Sequence, residues 1–249
     1  MNEVLNKALL PNGLRDVLPP DAAFASQVVV TLMACFETHG YEQVDPPLVE
    51  FEDSLLSGAG AATAGQTFRL MDPVSQHMMG LRTDITVQVA RIATTRLVNA
   101  PRPLRLCYAG QVLRVKGTQL NPERQFAQAG VELIGSDSAA ADAEIVTLGV
   151  EALEKAGITG LTADLTMPTL VPALCAAYGF PADVVARLRA ALNRKDAAGV
   201  AAIAGSAAPQ LLGLLRAAGP AGPALDALAR LDLPEAAAAE RQRLAAGAA

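Results

Sequence analysis

Apolar residues recur along this chain in two rhythms, one of three to four residues and one of two. Across residues 21–40 the apolar positions Ala25, Val28, Leu32 and Phe36 follow the first rhythm. That spacing predicts a core-facing helix, N-capped by Asp21 after Pro19-Pro20 and ended by Gly40. Pro46-Pro47 then demands an extended segment at a sheet edge or subunit contact, and the glycine-rich run 57–65 reads as a loop. Residues 66–72 and 77–82 predict a short hairpin. A helix follows over about 84–97, with Val89, Ile92, Ala93 and Leu97 on one side. After the polar-looped pair of runs in 104–135 come a capped helix over 138–156, stopped by Gly157, and a strand at 161–166. From Pro181 onward alanine and leucine dominate, and Gly219-Pro220 and Gly222-Pro223 punctuate short helical runs.

The pair of runs in 104–135 carries the candidate chemistry. Read with a period of two, Tyr108, Gly110, Val112 and Arg114 share one face of the first run; Arg124, Gln128, Gly130 and Glu132 share one face of the second. Antiparallel pairing with Arg114 near Arg124 sets Gly110 opposite Gln128 and gathers these polar groups on one surface. The expected result is a floor with open volume above Gly110, fit for a small zwitterion between carboxylate acceptors and guanidinium donors. The plainer reading is a solvated face of cross-strand ion pairs. A carboxylate at Glu132, in an otherwise apolar strand, needs a cationic partner, which an internal arginine would supply. Asp84 stands where a strand gives way to a helix, so it serves as an N-cap, a ligand acceptor or both. Arg114 reads either as a fork for a carboxylate or as an ion-pair partner of Glu132 or Glu123.

Composition narrows the possibilities. A chain of 249 residues with 51% hydrophobic and 18% charged content can bury a substantial core as one or two domains. Its net charge of -5 argues against a large phosphate-binding surface, so no nucleic acid is expected as a partner. Cys35, Cys107 and Cys175 are odd in number and far apart, which argues against a disulfide framework or a zinc site and fits a reduced, cytoplasmic setting. His39 reads as a helix-end dipole partner and His77 as a hairpin residue. No run approaches the roughly 20 uninterrupted apolar residues of a membrane span, and no metal or cofactor is expected.

Several segments together resemble the class II aminoacyl-tRNA synthetases in their histidyl form. The run Tyr108-x-Gly110-x-x-Leu113-Arg114, then Arg124-Gln125-Phe126-x-Gln128-x-Gly130-x-Glu132, is similar to motif 2 of that family. Residues 11–19, beginning Pro11-Asn12-Gly13-Leu14-Arg15-Asp16, resemble the start of its catalytic domains. His39-Gly40-Tyr41 with Pro46-Pro47-Leu48-Val49-Glu50 resembles its motif 1 dimer element, and Leu81-Arg82-Thr83-Asp84-Ile85-Thr86 the segment that grips the amino group of histidine. There are departures. Lys116 stands where a working synthetase has the glutamate that meets adenine, and Pro122 where it has a second arginine. The later histidine-specific segment, motif 3 and an anticodon-binding domain find no counterpart within these residues. The closer resemblance is to a branch that has lost aminoacylation, the regulatory subunits of ATP phosphoribosyltransferase, through phrases such as 51–60, 68–73 and 122–126.

The resemblance, strong over about 9–175, implies an α+β fold: a mostly antiparallel sheet flanked by helices, in a core over 1–175, with an alanine-rich helical insertion or subdomain over 176–249. It implies a non-catalytic regulatory role. The partner would be the catalytic ATP phosphoribosyltransferase subunit in a hetero-oligomer, the effector histidine, and the chain itself a homodimer off the membrane. In this reading Asp84 and Thr86 hold the amino group of histidine, Gln128 and Glu132 help to fix it, and Arg114 meets its carboxylate. Two alternatives stay open: a histidyl-tRNA synthetase fragment, and an amino-acid-binding module regulating another enzyme. The chain is either naturally short or a piece of a longer one that returns to the sheet beyond the helical part.

Overall fold

The computed structural model describes residues 9–248, which form two compact units. The first takes in residues up to Ser136 and Ile145–Leu161; the second takes in Asp137–Glu144 and the residues from Thr162 onward.

In the first unit, helix α1 (Asp21–Thr38) leads to strands β1 (Glu42–Gln43) and β2 (Val49–Phe51), the short helix α2 (Glu52–Leu55), and strands β3 (Arg69–Met71) and β4 (Met78–Leu81). Helix α3 (Thr86–Thr95) and the long strands β5 (Leu104–Leu113) and β6 (Gln125–Ile134) follow, then helix α4 (Ala139–Lys155), whose first residues belong to the second unit. One sheet has the order β1-β5-β6, with β1 parallel and β6 antiparallel to β5; the other, β2-β4-β3, is antiparallel throughout. The two sheets meet at one residue. Arg82 donates its N–H to Leu48 O at 3.0 Å and accepts from Leu113 N at 3.0 Å, and beside it Val115 N donates to Gln66 O at 2.8 Å.

The β5–β6 hairpin is covered on both faces, which explains why apolar residues occupy both parities of β5. Cys107 with Ala109, Ala129 and Val131 packs against Met33, Cys35 and Phe36 of α1 and Leu148 and Ala152 of α4. On the opposite face Leu104, Leu106, Tyr108 and Val112 pack against Ile85, Val89 and Ala93 at and along α3. A fully buried aliphatic side chain contributes about 1.5–3 kcal/mol, so these two layers hold the hairpin from either side.

Several expectations change in detail. Asp21 is the first residue of α1 and not its cap; Pro20, already helical in conformation, takes the cap position, and Leu18 O receives the Ala22 N–H at 3.1 Å. The buried side of α1 is carried by Met33, Cys35 and Phe36, while Ala25 is exposed. The glycine-rich stretch is wound as tight helical turns over Gly58–Gln66 and not an open loop. Residues 161–166 form no strand: that run is mostly exposed and pairs with no other among the described residues. The cap of α4 is as expected, with Ser138 Oγ accepting from Ala141 N at 3.2 Å.

The second unit is helical: α5 (Leu170–Ala177), α6 (Ala182–Asn193), α7 (Ala197–Ala204), α8 (Ala208–Ala217), α9 (Ala221–Ala229) and α10 (Glu235–Ala248). Its core is Leu170, Leu174, Cys175, Leu188, Ala191, Val200, Ala204, Leu211 and Ala237. By length and composition the run Ala197–Ala217 could cross a membrane. Here it breaks at Gly205–Ala207 into α7 and α8, and Val200, Ala204 and Leu211 form core. Helix α10 docks despite its weak apolar pattern. Ala237 is buried, and Arg241 Nη1 donates to Leu231 O at 2.7 Å and Leu228 O at 3.2 Å, satisfying carbonyls at the end of α9.

Candidate functional site

The register of the hairpin is the one the alternation predicts. Gly110 faces Gln128, Tyr108 faces Gly130 and Leu106 faces Glu132, and Arg114 N donates to Arg124 O at 2.7 Å. The shared face turns toward the start of α3, where β4 gives way to the helix through Arg82, Thr83 and Asp84.

Four of the five expected residues meet there, joined by one the sequence reading placed on the face without giving it a role. Gln128 Oε1 accepts from Ile85 N at 3.0 Å, and its Nε2 donates to Asp84 Oδ1 at 3.1 Å. The same oxygen of Asp84 accepts from Thr86 N at 2.8 Å. Asp84 therefore does hold the helix start, as a cap would. Tyr108 donates its hydroxyl proton to Glu132 Oε1 at 3.2 Å, and the Thr86 hydroxyl lies 3.0 Å from the same phenol oxygen. Since a phenol has one proton to give, Thr86 donates to Tyr108, and the chain runs Thr86 to Tyr108 to Glu132. The signal for Tyr108 was its parity with Gly110 opposite Gln128.

The electrostatics of this cluster are one-sided. Burial pushes the Glu132 carboxyl above the ordinary glutamate value and the charge of Asp84 adds to the rise, while the hydroxyl chain of Thr86 and Tyr108 opposes it. Burial, with the neighbouring carboxylates, also raises the Tyr108 phenol to about 12 against the Thr86 hydrogen bond. No arginine answers Glu132; its partner is the tyrosine hydroxyl. Two half-buried carboxylates and a hydroxyl chain thus gather acceptor capacity at one place, with no cation of the protein against it among the described residues.

Arg114 is not part of this cluster. It lies opposite Arg124, eight residues along β6 from Glu132, with its guanidinium 5.0 Å over the Phe126 ring. Neither proposed ion pair forms: Glu123 is held by Arg15 at 2.7 Å. Arg124 Nη1 donates to Asn12 O at 3.0 Å, and its guanidinium stacks 4.8 Å over Phe68. Lys116 is exposed in the turn beyond β5.

The open volume expected above Gly110 is filled. Arg82, 5% exposed, lies over it: its Nε donates to Gln111 O at 2.8 Å and its Nη1 to Pro46 O at 2.6 Å, while Nη2 stands where a side chain at position 110 would begin. Burial lowers the Arg82 pKa, opposed by Asp45 and Glu50. Gly130 similarly admits the ring of Tyr108. Both glycines make room for a protein side chain. Gln128, with its carbonyl and one amide proton committed to the protein, positions Asp84.

A family model described as histidyl-tRNA synthetase matches residues 13–249. An ATP phosphoribosyltransferase regulatory subunit from Paramagnetospirillum magneticum is 65% identical over 245 residues, covering 98% of this chain and 65% of that protein. One from Gluconobacter oxydans is 50% identical over 248 residues, covering 100% and 65%. The chain spans slightly less than two thirds of the length of these relatives. Among solved structures, a Bacillus halodurans chain named as an ATP phosphoribosyltransferase regulatory subunit/histidyl-tRNA synthetase superposes with a TM-score of 0.77 at 28% identity, over 95% of this chain and 63% of that one. A histidyl-tRNA synthetase from Nostoc gives 0.77 at 17% identity, over 95% and 55%, a likeness of fold alone.

Proposed function

The chain belongs to the histidyl-tRNA synthetase family, and on that footing we propose that it serves as a regulatory subunit of ATP phosphoribosyltransferase and binds histidine as effector. The regulatory reading rests on the high identity to relatives that carry that name and on Lys116 and Pro122, which by resemblance replace the adenine-contacting glutamate and a second arginine of a working synthetase. Its partner would be the catalytic subunit, in the first step of histidine biosynthesis. A cytoplasmic setting suits its three free, buried cysteines.

The observation that carries the effector reading is the unanswered pair of carboxylates. An ammonium donates three hydrogen bonds, and Asp84, Glu132 and the Thr86 hydroxyl offer acceptors beside one another with no internal cation to compete. Arg114 remains the partner for the histidine carboxylate, since its guanidinium makes no hydrogen bond or ion pair among the described residues. It lies four residues along β5 from Gly110, about 13 Å of strand, a gap its own length narrows. Feedback then follows by linkage: histidine favours whichever arrangement of the subunit binds it more tightly, and the catalytic chain responds to that shift.

The experiment is a calorimetric titration of histidine into the subunit, alone and with the catalytic chain. Glu132→Gln keeps the shape and removes the charge, and a lost charge-assisted hydrogen bond is worth roughly 1.5–3 kcal/mol, so affinity should fall at least about tenfold while the complex still forms. Unchanged binding in that variant would leave the cluster as internal structure.

A further inference from the structure

On the other face of the hairpin, away from the site above, three side chains of different chemistry converge. Cys35 and His39 stand four residues apart at the end of α1, and Glu151 faces them from α4; their ligand atoms all lie within 4.8 Å of one another. Among the described residues no other set of three such donors is as close. We propose that Cys35, His39 and Glu151 form a binding site for one zinc-class divalent cation, with solvent as the fourth ligand.

The local geometry suits this at each residue. The Nδ1 of His39 lies 3.0 Å from Cys35 O, so in the metal-bound form that carbonyl would hold a proton on Nδ1 while Nε2, which faces Glu151, gives its lone pair to the cation. Nε2 is 3.1 Å from Glu151 Oε2, close to the separation of about 3.3 Å between two ligands each about 2.0 Å from a tetrahedral zinc. Glu151 keeps that oxygen available because its other oxygen, Oε1, is held by Lys155 Nζ at 2.6 Å. The sulfur comes from a residue only 2% exposed, set against Met33, Phe36 and Tyr41, whereas His39 and Glu151 are about one third exposed and open the site to solvent.

Charge and softness agree with the donor set. A thiolate and a carboxylate together balance a divalent cation, with the imidazole neutral, and a mixed sulfur, nitrogen and oxygen set is one that zinc and cobalt accept and magnesium and calcium do not. Binding would expel the Cys35 thiol proton, so metal uptake should release about one proton to the buffer. Lys155, whose ammonium lies against Glu151 and the Cys35 sulfur, is the cation that the metal would displace from the sulfur. This site runs against the expectation from the cysteine spacing, which argued against zinc: Cys35 and His39 are one helical turn apart, and the third donor, Glu151, is far along the chain and comes in only through the packing of α4 on α1.

Titrating reduced full-length protein with Co2+ tests it. One equivalent should give the near-ultraviolet absorption of a cobalt–thiolate bond, displaced by Zn2+. Cys35→Ser should abolish that band, while His39→Gln and Glu151→Gln should weaken Zn2+ binding, read by competition with a chromophoric chelator, by roughly tenfold or more. Zn2+ should raise the Tm of the unaltered protein and not that of Glu151→Gln, a partly exposed, isosteric change that keeps the fold. Absence of stoichiometric Co2+ binding, or a thiolate band that survives Cys35→Ser, would overturn the site and leave an ion-pair network of His39, Glu151 and Lys155.

Discussion

Arg82 and Gly110 are complementary, the guanidinium of one filling the volume that a β-carbon on the other would need. Two backbone carbonyls pin that guanidinium, so it cannot retreat without giving up hydrogen bonds to Pro46 O or Gln111 O. Gly110→Ala should therefore destabilise the protein by about 1–3 kcal/mol, the usual cost of overpacking. Urea unfolding measures it. A double-mutant cycle with Arg82→Met should recover much of the loss, and simple additivity would disprove the coupling.

The raised carboxyl of Glu132 sets a pH dependence. Its folded pKa lies above the unfolded value, so the protonated form favours the folded state; that contribution is full at pH values below the ordinary glutamate pKa and is lost as pH rises through the elevated folded value. The stability of Glu132→Gln relative to the unaltered protein should rise across that window and level off above it. Histidine binding, which wants the carboxylate, should tighten over the same range. Parallel stability curves for the two proteins would contradict this.

Tyr108→Phe removes one hydroxyl that serves two neighbours. It leaves Glu132 without its donor and Thr86 without its acceptor, at an expected cost of about 1–2 kcal/mol. Gly130→Ala should reproduce part of the effect by pushing the ring off β6, because a β-carbon there meets the Tyr108 hydroxyl. Thermal unfolding compared with histidine calorimetry separates the loss of fold from the loss of binding.

Glu50 is an anchor between β2 and α3, its side chain only 8% exposed and held by Arg91 and by Gln88 Nε2 at 2.9 Å. Arg91→Ala strands that carboxylate with a single amide donor. Leaving a buried charge unpaired costs about 3 kcal/mol, which denaturant unfolding would register; Glu50→Gln combined with Arg91→Ala should cost less than Arg91→Ala alone.

Histidine-dependent ATP–pyrophosphate exchange should be undetectable, because by resemblance Lys116 stands where a working synthetase has the glutamate that meets adenine, and Pro122 where it has a second arginine. Lys116→Glu alone should not restore it. A measurable exchange rate in the purified protein would return the enzyme reading to first place.

How much of this was legible depended on the range of the interaction. The pairing of Gly110 with Gln128 was readable because a strand has a period of two and one face had to be buried, which leaves little freedom of register. The register put Gln128 and Glu132 on one face, whereas Asp84 and Thr86 were joined to them only through the family resemblance, since nothing local says that the helix start after β4 packs over the hairpin. What filled the gap above Gly110 was not readable, since nothing local tells Arg82 to turn over β5 and reach Pro46 O. The strand expected at 161–166 failed for a related reason: apolar alternation proposes a strand, but only a neighbour makes one. Arg124 was read as part of a ligand floor, whereas Phe68 and Asn12, both remote in sequence, hold it.

The corner at Arg82 has a consequence for how the fold comes apart. Since the N–H of residue 82 is bonded to Leu48 and its carbonyl to Leu113, neither small sheet can peel away without opening the other at the same residue. The β2-β4-β3 layer, though only three strands of three or four residues, should melt together with the long hairpin and not as a separate, weaker step. Amide exchange reports it directly. The Arg82 and Leu113 N–H groups should exchange at the same slow rate, through one shared opening of both sheets.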